Sequence, residues 1–464
     1  MNSKRAITLI LVMFMMVGLL IGCGTENGSE QNKSADKDNA EGEKTNDTEP
    51  EEKEKSQTQS TELKGKISLW GGAHLTNITE IALESFSEKN PDVEFTFEKY
   101  PFAEYPTKMR LQLSAGDSDP NIMIIHDFLC DQFMKAGWLE DISDRIPKDK
   151  LIQSYQNIMN DGKTYGVMMQ QSFLAFYYRS DIFKQLGLNP PTNYDEYIKV
   201  AKELKNNGYF IDAFNPSDNN NAKNSFKNYL YPAGGGIFDS EGNVMLDNGK
   251  AVETLNKLKA INDLGVFSPD VSDEALWTAI NDSKIVARLA PTYYAAYFES
   301  NLDPEGKGGY GSWKMVAAPN MFNNALDNYQ ASSTYYVINS KAPDKELAWK
   351  VIEFLACSVE GGRALSEINR EGTMAKIVNG YIPSIESIAK DSRSWDVFGG
   401  QKVTSDIAKI FLKYKDNAVV AYKDLRTSEA ENIVAQMIND FFSNKGTAED
   451  VVNDAAKKIR ALNQ

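Results

Sequence analysis

Histidine is almost missing: the 464-residue chain has two, His74 and His126. Cysteine is nearly as scarce, with Cys23, Cys130 and Cys357 alone. These shortages remove whole classes of chemistry. No HExxH occurs, so the metalloprotease helix is excluded. No GxSxG occurs, so there is no nucleophile elbow. A Ser/His/Asp triad would have to use one of the two histidines. No CxxC pair exists, which leaves neither a zinc ribbon nor a thioredoxin-like site. Cys130 and Cys357 read as buried, unpaired thiols, since cysteine packs well as a small hydrophobe. Positive charge is short too: 50 Lys and Arg against 65 Asp and Glu give a net charge of −15. That balance argues against a general phosphate-binding surface, which would be basic. Nothing in the pattern calls for a cofactor or a metal. What is present is ordinary for a globular protein, with 42% hydrophobic and 25% charged residues.

One long apolar run exists, at the N-terminus. Lys4 and Arg5 precede an almost unbroken apolar stretch from Ile7 to Ile21. It is shorter than the ~20 residues of a membrane span and suits a signal-peptide core. Leu20-Ile21-Gly22-Cys23 then resembles the bacterial lipobox. That resemblance implies cleavage before Cys23 and a diacylglyceryl group on its sulfur, since a thiolate is the natural nucleophile for a thioether. Two acyl chains anchor stably where one is marginal. An ordinary secretory signal with an incidental cysteine is the alternative. Residues 24–62 are acidic and have only Ala35 and Ala40 as aliphatic side chains. Such a stretch buries too little apolar surface to offset ordering, and reads as a solvated tether.

Strand and helix patterns alternate beyond the tether. Residues 66–70 make a strand pattern ending at Gly71-Gly72, and Ile78, Ile81, Ala82 and Phe86 follow at helical spacing. Residues 93–100 alternate as a strand, 103–115 suit a helix, and 121–127 read as a buried strand. This order predicts a parallel α/β sheet. Ligands of open sheets lie beyond the carboxyl ends of the strands, which singles out Trp70-Gly71-Gly72 and His126-Asp127-Phe128. Trp70 is either a core aromatic or a ligand neighbour, since the glycines after it allow close backbone approach. Residues 164–188 suggest paired strands running into a helix. A helix begins near Thr192, residues 234–246 form a hairpin, and helices cover 249–264 and 272–281. Residues 283–298 are a strand leading to an aromatic loop, 312–319 and 332–343 are strands, and the chain from Asp344 is mainly helical. No fixed-period repeat appears.

Several segments together resemble the family 1 extracellular solute-binding proteins, the substrate-capturing lipoproteins of ABC importers related to maltose-binding protein. They are "KISLWGG", "LESFSEKNPDVEFTFEKY", "LQLSAGDSDPNIMIIHDFLCDQFMKAGWLEDIS", "YGVMMQQSFLAFYYRSDIFKQLGLNPPTNYDEYIKVAKEL", "SKIVARLAPTYY", "SWKMVAAP" and "STYYVINSKAPDKELAWKVIEFLACSVEGGRAL". Their order over about 330 residues is what is specific. One departure is "SDPN", where the family has Pro-Asp, and it is expected to affect a turn. The resemblance implies a type II, two-lobed periplasmic-binding-protein-like α/β fold. Each lobe would be a mostly parallel sheet flanked by helices, and the two would close on ligand like a hinge. Residues 63–170 with 319–373 would form lobe I, and 171–318 with 374–464 lobe II. The chain would cross near 170, 318 and 374.

The resemblance also implies a saccharide as cargo, ABC permease subunits as partners, an extracellular lipid-anchored monomer, and no turnover. Aromatic rings would cover the sugar faces and planar polar groups would bond the hydroxyls. Asp127 matches an acidic hydroxyl acceptor, Gln170 and Gln171 lie at the first crossover, Tyr293 or Tyr294 matches a stacking aromatic, and Trp70 and Trp395 complete the set. Bland readings stand beside these. Asp127 suits a helix N-cap, Tyr293-Tyr294 suits a plug between lobes, and Trp138, Trp277, Trp313 and Trp349 suit cores. Arg288, unusual in an apolar strand, suits either a carboxylate in the sheet or an anionic ligand. Three other functions remain open: a binding protein for a peptide, polyol or anion, a receptor-linked sensor, or a secreted glycosidase, whose carboxylate pair no motif singles out.

Overall fold

The computed structural model describes residues 62–462 except 103, 148–157, 325–327, 368–381, 384–402, 406–413, 415–418 and 424–425. All of these belong to the compact unit Thr61–Gln464. The signal segment, Cys23, the tether, Trp395 and the expected crossing near 374 lie outside the described residues. No helix among the described residues is long and apolar enough to cross a membrane.

The first sheet follows the expected alternation. Strand β1 (Gly65–Gly72) lies between β2 (Val93–Tyr100) and β3 (Ile122–His126), parallel to both. Helices α1 (Ala73–Ala82) and α2 (Glu84–Lys89) join β1 to β2, and α3 (Tyr105–Ser114) joins β2 to β3. Helix α4 (Asp127–Lys135) follows β3 directly. Successive side chains of a strand face opposite sides of the sheet, and the cores divide accordingly. Ile67, Leu69, Ile122 and Ile124 join one cluster, while Met123 and Ile125 join another that contains the free, fully buried Cys130. The "SDPN" turn ties β1 to β3: Ser68 Oγ donates to Asp119 at 2.6 Å, and Ser68 N donates to Asn121 Oδ1 at 2.9 Å.

A short hairpin, β4 (Met159–Asn160) and β5 (Lys163–Thr164), leads into β6 (Gly166–Arg179). Where paired strands were expected there is one strand of 14 residues. Residues 167–179 contain no Gly, Pro, Asn or Asp, the residues that build turns. Strand β6 works in two places. Its first half pairs with the strand Tyr329–Ile338, and its second half, from Leu174, pairs with Ala287–Pro291 and Trp313–Ala317.

The second half of the fold comprises α5 (Ser180–Gln185), α6 (Tyr194–Asn206), β7 (Asp212–Ala213), α7 (Asn219–Leu230), α8 (Lys250–Asp263), β8 (Phe267–Ser268), α9 (Asp273–Asn281), β9 (Ala287–Pro291), α10 (Tyr294–Asn301) and β10 (Trp313–Ala317). The chain returns to the first sheet through β11 (Tyr329–Ile338), α11 (Lys345–Ile352) and α12 (Val359–Glu367). Helices α13 (Thr427–Phe442) and α14 (Ala448–Arg460) close on α7 and α8, burying Phe226, Leu255, Ile438 and Val452 in one core. Thr447 caps α14 by a reciprocal pair of bonds with Asp450. The sheet is mixed rather than mostly parallel. Strand β6 runs against all its neighbours and β11 against β3 and β6, because the segments that pass between the two halves must travel in both directions.

Candidate functional site

The first rim is built at the carboxyl ends of β1 and β3. Asp127 does not cap α4. His126 is the cap residue, and Asp127, 4% exposed, opens the first turn. Its Oδ2 accepts from Lys423 Nζ at 2.8 Å and from Ser333 N at 3.3 Å. His126 is buried, and Tyr105 lies 2.6 Å from its Nδ1. Burial, with lesser contributions from His74 and Lys423, pulls the His126 pKa down to about 3. Burial pushes Tyr105 the other way, well above the usual phenol range. At neutral pH both groups are therefore uncharged, and one proton is shared between them in the Tyr105–His126 hydrogen bond. Phe102, 53% exposed, meets the His126 ring edge-on at 5.1 Å, and Phe128 stacks on it at 5.6 Å.

Trp70 is half-buried, with its ring edge-on to Tyr100 at 5.8 Å. Gln170 and Gln171 lie mid-strand in β6, buried opposite Thr334 and Ser333 and beside the short strand Ile382–Pro383. Gln170 Nε2 has no hydrogen-bond acceptor among the described residues.

The second rim encloses a cavity of about 310 Å³, lined by α7, the end of β7, and the turn from β9 into α10. Both Tyr293 and Tyr294 line it. The expected aromatic loop is instead helix α10, with Tyr293 as the residue before its first turn. The turn is anchored to β6: Thr292 N donates to Phe173 O at 2.8 Å, and Tyr177 donates its hydroxyl to Thr292 O at 2.7 Å. Trp70, Asp127, Gln170 and Gln171 lie outside this cavity.

The sequence reading missed α7. Asn220, Asn224 and Asn228 line the same cavity at four-residue spacing, which stacks them along one helix face. Asn220 and Asn224 are exposed and make no hydrogen bond among the described residues, so their carboxamides face the cavity unengaged. Asn228 accepts from Tyr329 at 2.7 Å and donates to Leu289 O at 3.2 Å. The signal was the run "NNNAKNSFKN", asparagine at every fourth position of an otherwise amphipathic helix.

A second cavity, about 520 Å³, is lined by Asp131, Tyr231, Asp239, Tyr422 and Lys423, so its wall includes the partner of Asp127. Tyr231 stacks on Tyr329 at 5.0 Å; Tyr329 faces the first cavity and Tyr231 the second. The remaining tryptophans pack. Trp313 is fully buried and donates to Gly308 O at 2.8 Å, Trp349 is buried, Trp138 meets Phe133 edge-on, and Trp277 meets Phe298. No described group of His, Cys, Asp or Glu is arranged to hold a metal.

Two α/β halves sharing a long strand, with polar and aromatic side chains at the rims, define a type II binding-protein fold. The chain belongs to the bacterial extracellular solute-binding proteins, whose family model matches residues 72–356. Members of that family bind substrates outside the cytoplasm. A putative binding protein of Brucella abortus (strain 2308) is 25% identical over 387 residues, covering 82% of this chain and 88% of the relative. The arabinooligosaccharide-binding protein of Bacillus subtilis (strain 168) is 24% identical over 379 residues, 78% of each chain. The maltose-bound structure of T. maritima MalE3 superposes with a TM-score of 0.65 at 20% identity, covering 85% of this chain and 99% of that one, which shows a common fold.

Proposed function

We propose that this protein is the extracellular substrate-capturing component of an ABC importer, that its cargo is a sugar or oligosaccharide, and that Cys23 anchors it to the membrane by lipid. The observation that carries the sugar reading is the 310 Å³ cavity, where two tyrosine rings face unengaged asparagine carboxamides. Rings suit the weakly apolar faces of a pyranose, and carboxamides both donate to and accept from its hydroxyls. The arabinooligosaccharide- and maltose-binding relatives support the same class of cargo.

In this reading lobe I is 63–170 with 319–373, and lobe II is 171–318 with 374–464. The residues that bind the ligand are Trp70, Asp127, Gln170, Gln171, Tyr293, Tyr294 and Trp395. The protein acts as a monomer that delivers its cargo to permease subunits and carries out no turnover. A thermal-shift panel of neutral and acidic saccharides tests it, because a ligand that binds the native state must stabilise it. At least one saccharide should raise Tm by several degrees and be recovered intact by mass spectrometry. No shift across a broad panel removes the sugar reading, and smaller products in place of the ligand remove the binding reading.

A further inference from the structure

Arg288 sits in the apolar strand β9 and is 8% exposed, yet it lines the second rim's cavity. Its nearest acid is Asp212, with Nη1 3.4 Å from Oδ1. That contact is not a hydrogen bond. Both Nε and Nη1 are buried with no hydrogen-bond acceptor among the described residues. Asp212 shares its oxygens with the backbone: Oδ1 accepts from Ala213 N at 2.7 Å and Oδ2 from Leu289 N at 2.8 Å. Burial also raises its carboxyl pKa, against the opposing pull of Arg288 and those N–H groups. Asp212 is therefore a poorly matched counter-ion.

The other charges of the cavity are committed elsewhere. Lys227 is held by Glu431 at 2.6 Å, and Asp218 accepts from Asn221 N at 2.8 Å as the cap of α7. The Tyr294 ring lies 5.0 Å from the guanidinium and helps to orient it. One guanidinium thus keeps unmatched donors beside a pocket otherwise suited to hydroxyls. Buried polar groups without partners are rare and call for a ligand or another explanation. The group that fits is an anionic oxygen acceptor such as a carboxylate, which takes a guanidinium N–H by a charge-assisted hydrogen bond.

We infer that the cargo is an acidic saccharide, one bearing a uronic-acid carboxylate, and that Arg288 is the residue that selects it. This rests on the sugar-binding reading and narrows it.

The test is calorimetric titration of the full chain with uronic-acid-bearing di- and trisaccharides. Each is matched with its methyl ester and with its neutral counterpart of the same linkage. For at least one set the free acid should bind at least thirtyfold tighter than both. Arg288→Gln should collapse that acid-to-ester ratio toward one. If neutral sugars or esters bind as well as the acids, the inference is overturned and the sugar reading stands. If no saccharide of any kind binds, both fall. Equal loss of acid and ester binding in Arg288→Gln would make Arg288 a structural residue and overturn its selecting role. The acid-ester comparison on the unaltered protein needs no variant, so it decides the cargo class even if Arg288→Gln fails to fold.

Discussion

The two rims solve the problem of polar groups near a cavity in opposite ways. At the first rim the ionisable groups are engaged: Asp127 with Lys423 and Ser333, and His126 with Tyr105. At the second rim several side chains are left open, with Asn220 and Asn224 facing the cavity and Arg288 only half matched. A substitution on the first rim should therefore register as lost stability. One on the second should register as lost affinity, because the missing partner there is the ligand.

The largest expected effect sharpens the first half of this contrast. His126 has a folded-state pKa near 3 against about 6.5 when unfolded. The unfolded chain binds the proton first, so this contribution is complete above pH 6.5 and is lost as pH falls toward 3. The slope reaches about 1.4 kcal/mol per pH unit. Urea denaturation at a series of pH values should show it, and His126→Gln should remove that part of the slope.

Next is Asp127→Ala, which leaves the Lys423 ammonium partly buried without its acid. A cost of about 3 kcal/mol is expected by denaturant titration. A cost below 0.5 kcal/mol would break the contrast. Tyr293→Ala belongs to the other rim. It should weaken saccharide binding at least tenfold, about 1.4 kcal/mol, with the unliganded Tm nearly unchanged. Smallest is Asn224→Ala, which should cost under about 0.5 kcal/mol of stability, as exposed sites do. Its effect on affinity should be severalfold, measured by calorimetry.

The residues that made the fold legible share one property: their periodicity reports burial. Ile67, Leu69, Ile122 and Ile124 alternate because their sheet has a core on each face, and β1 to β3 were readable from that. Strand β6 was misread as two because it is buried almost throughout, passing from one core to another, and so gives no alternation to count. The turn after Pro291 read as a loop because Tyr293 and Tyr294 line the cavity and Tyr297 is exposed, which hides the helical period of α10.

Of the site, Tyr293 and Tyr294 were found at the cavity, and Asp127 at a strand end as the open-sheet rule requires. What sequence could not reveal was that Lys423, 296 positions away, already holds Asp127. The asparagine face of α7 was visible as a spacing but not as a surface, since only the fold shows which face meets the pocket. Arg288 was singled out, but the distance to Asp212 and the backbone bonds that occupy that acid required the structure.

The central claim is that one ligand is gripped from both rims. Amide hydrogen exchange, read with and without a saccharide found by the thermal panel, tests it most directly, since it reports local opening segment by segment. The account predicts added protection in two places at once: around Asp127 and Gln170, and across Asn219–Leu230 with the turn at Pro291–Tyr294. Protection confined to one rim, or placed instead on α13 and α14, would contradict it.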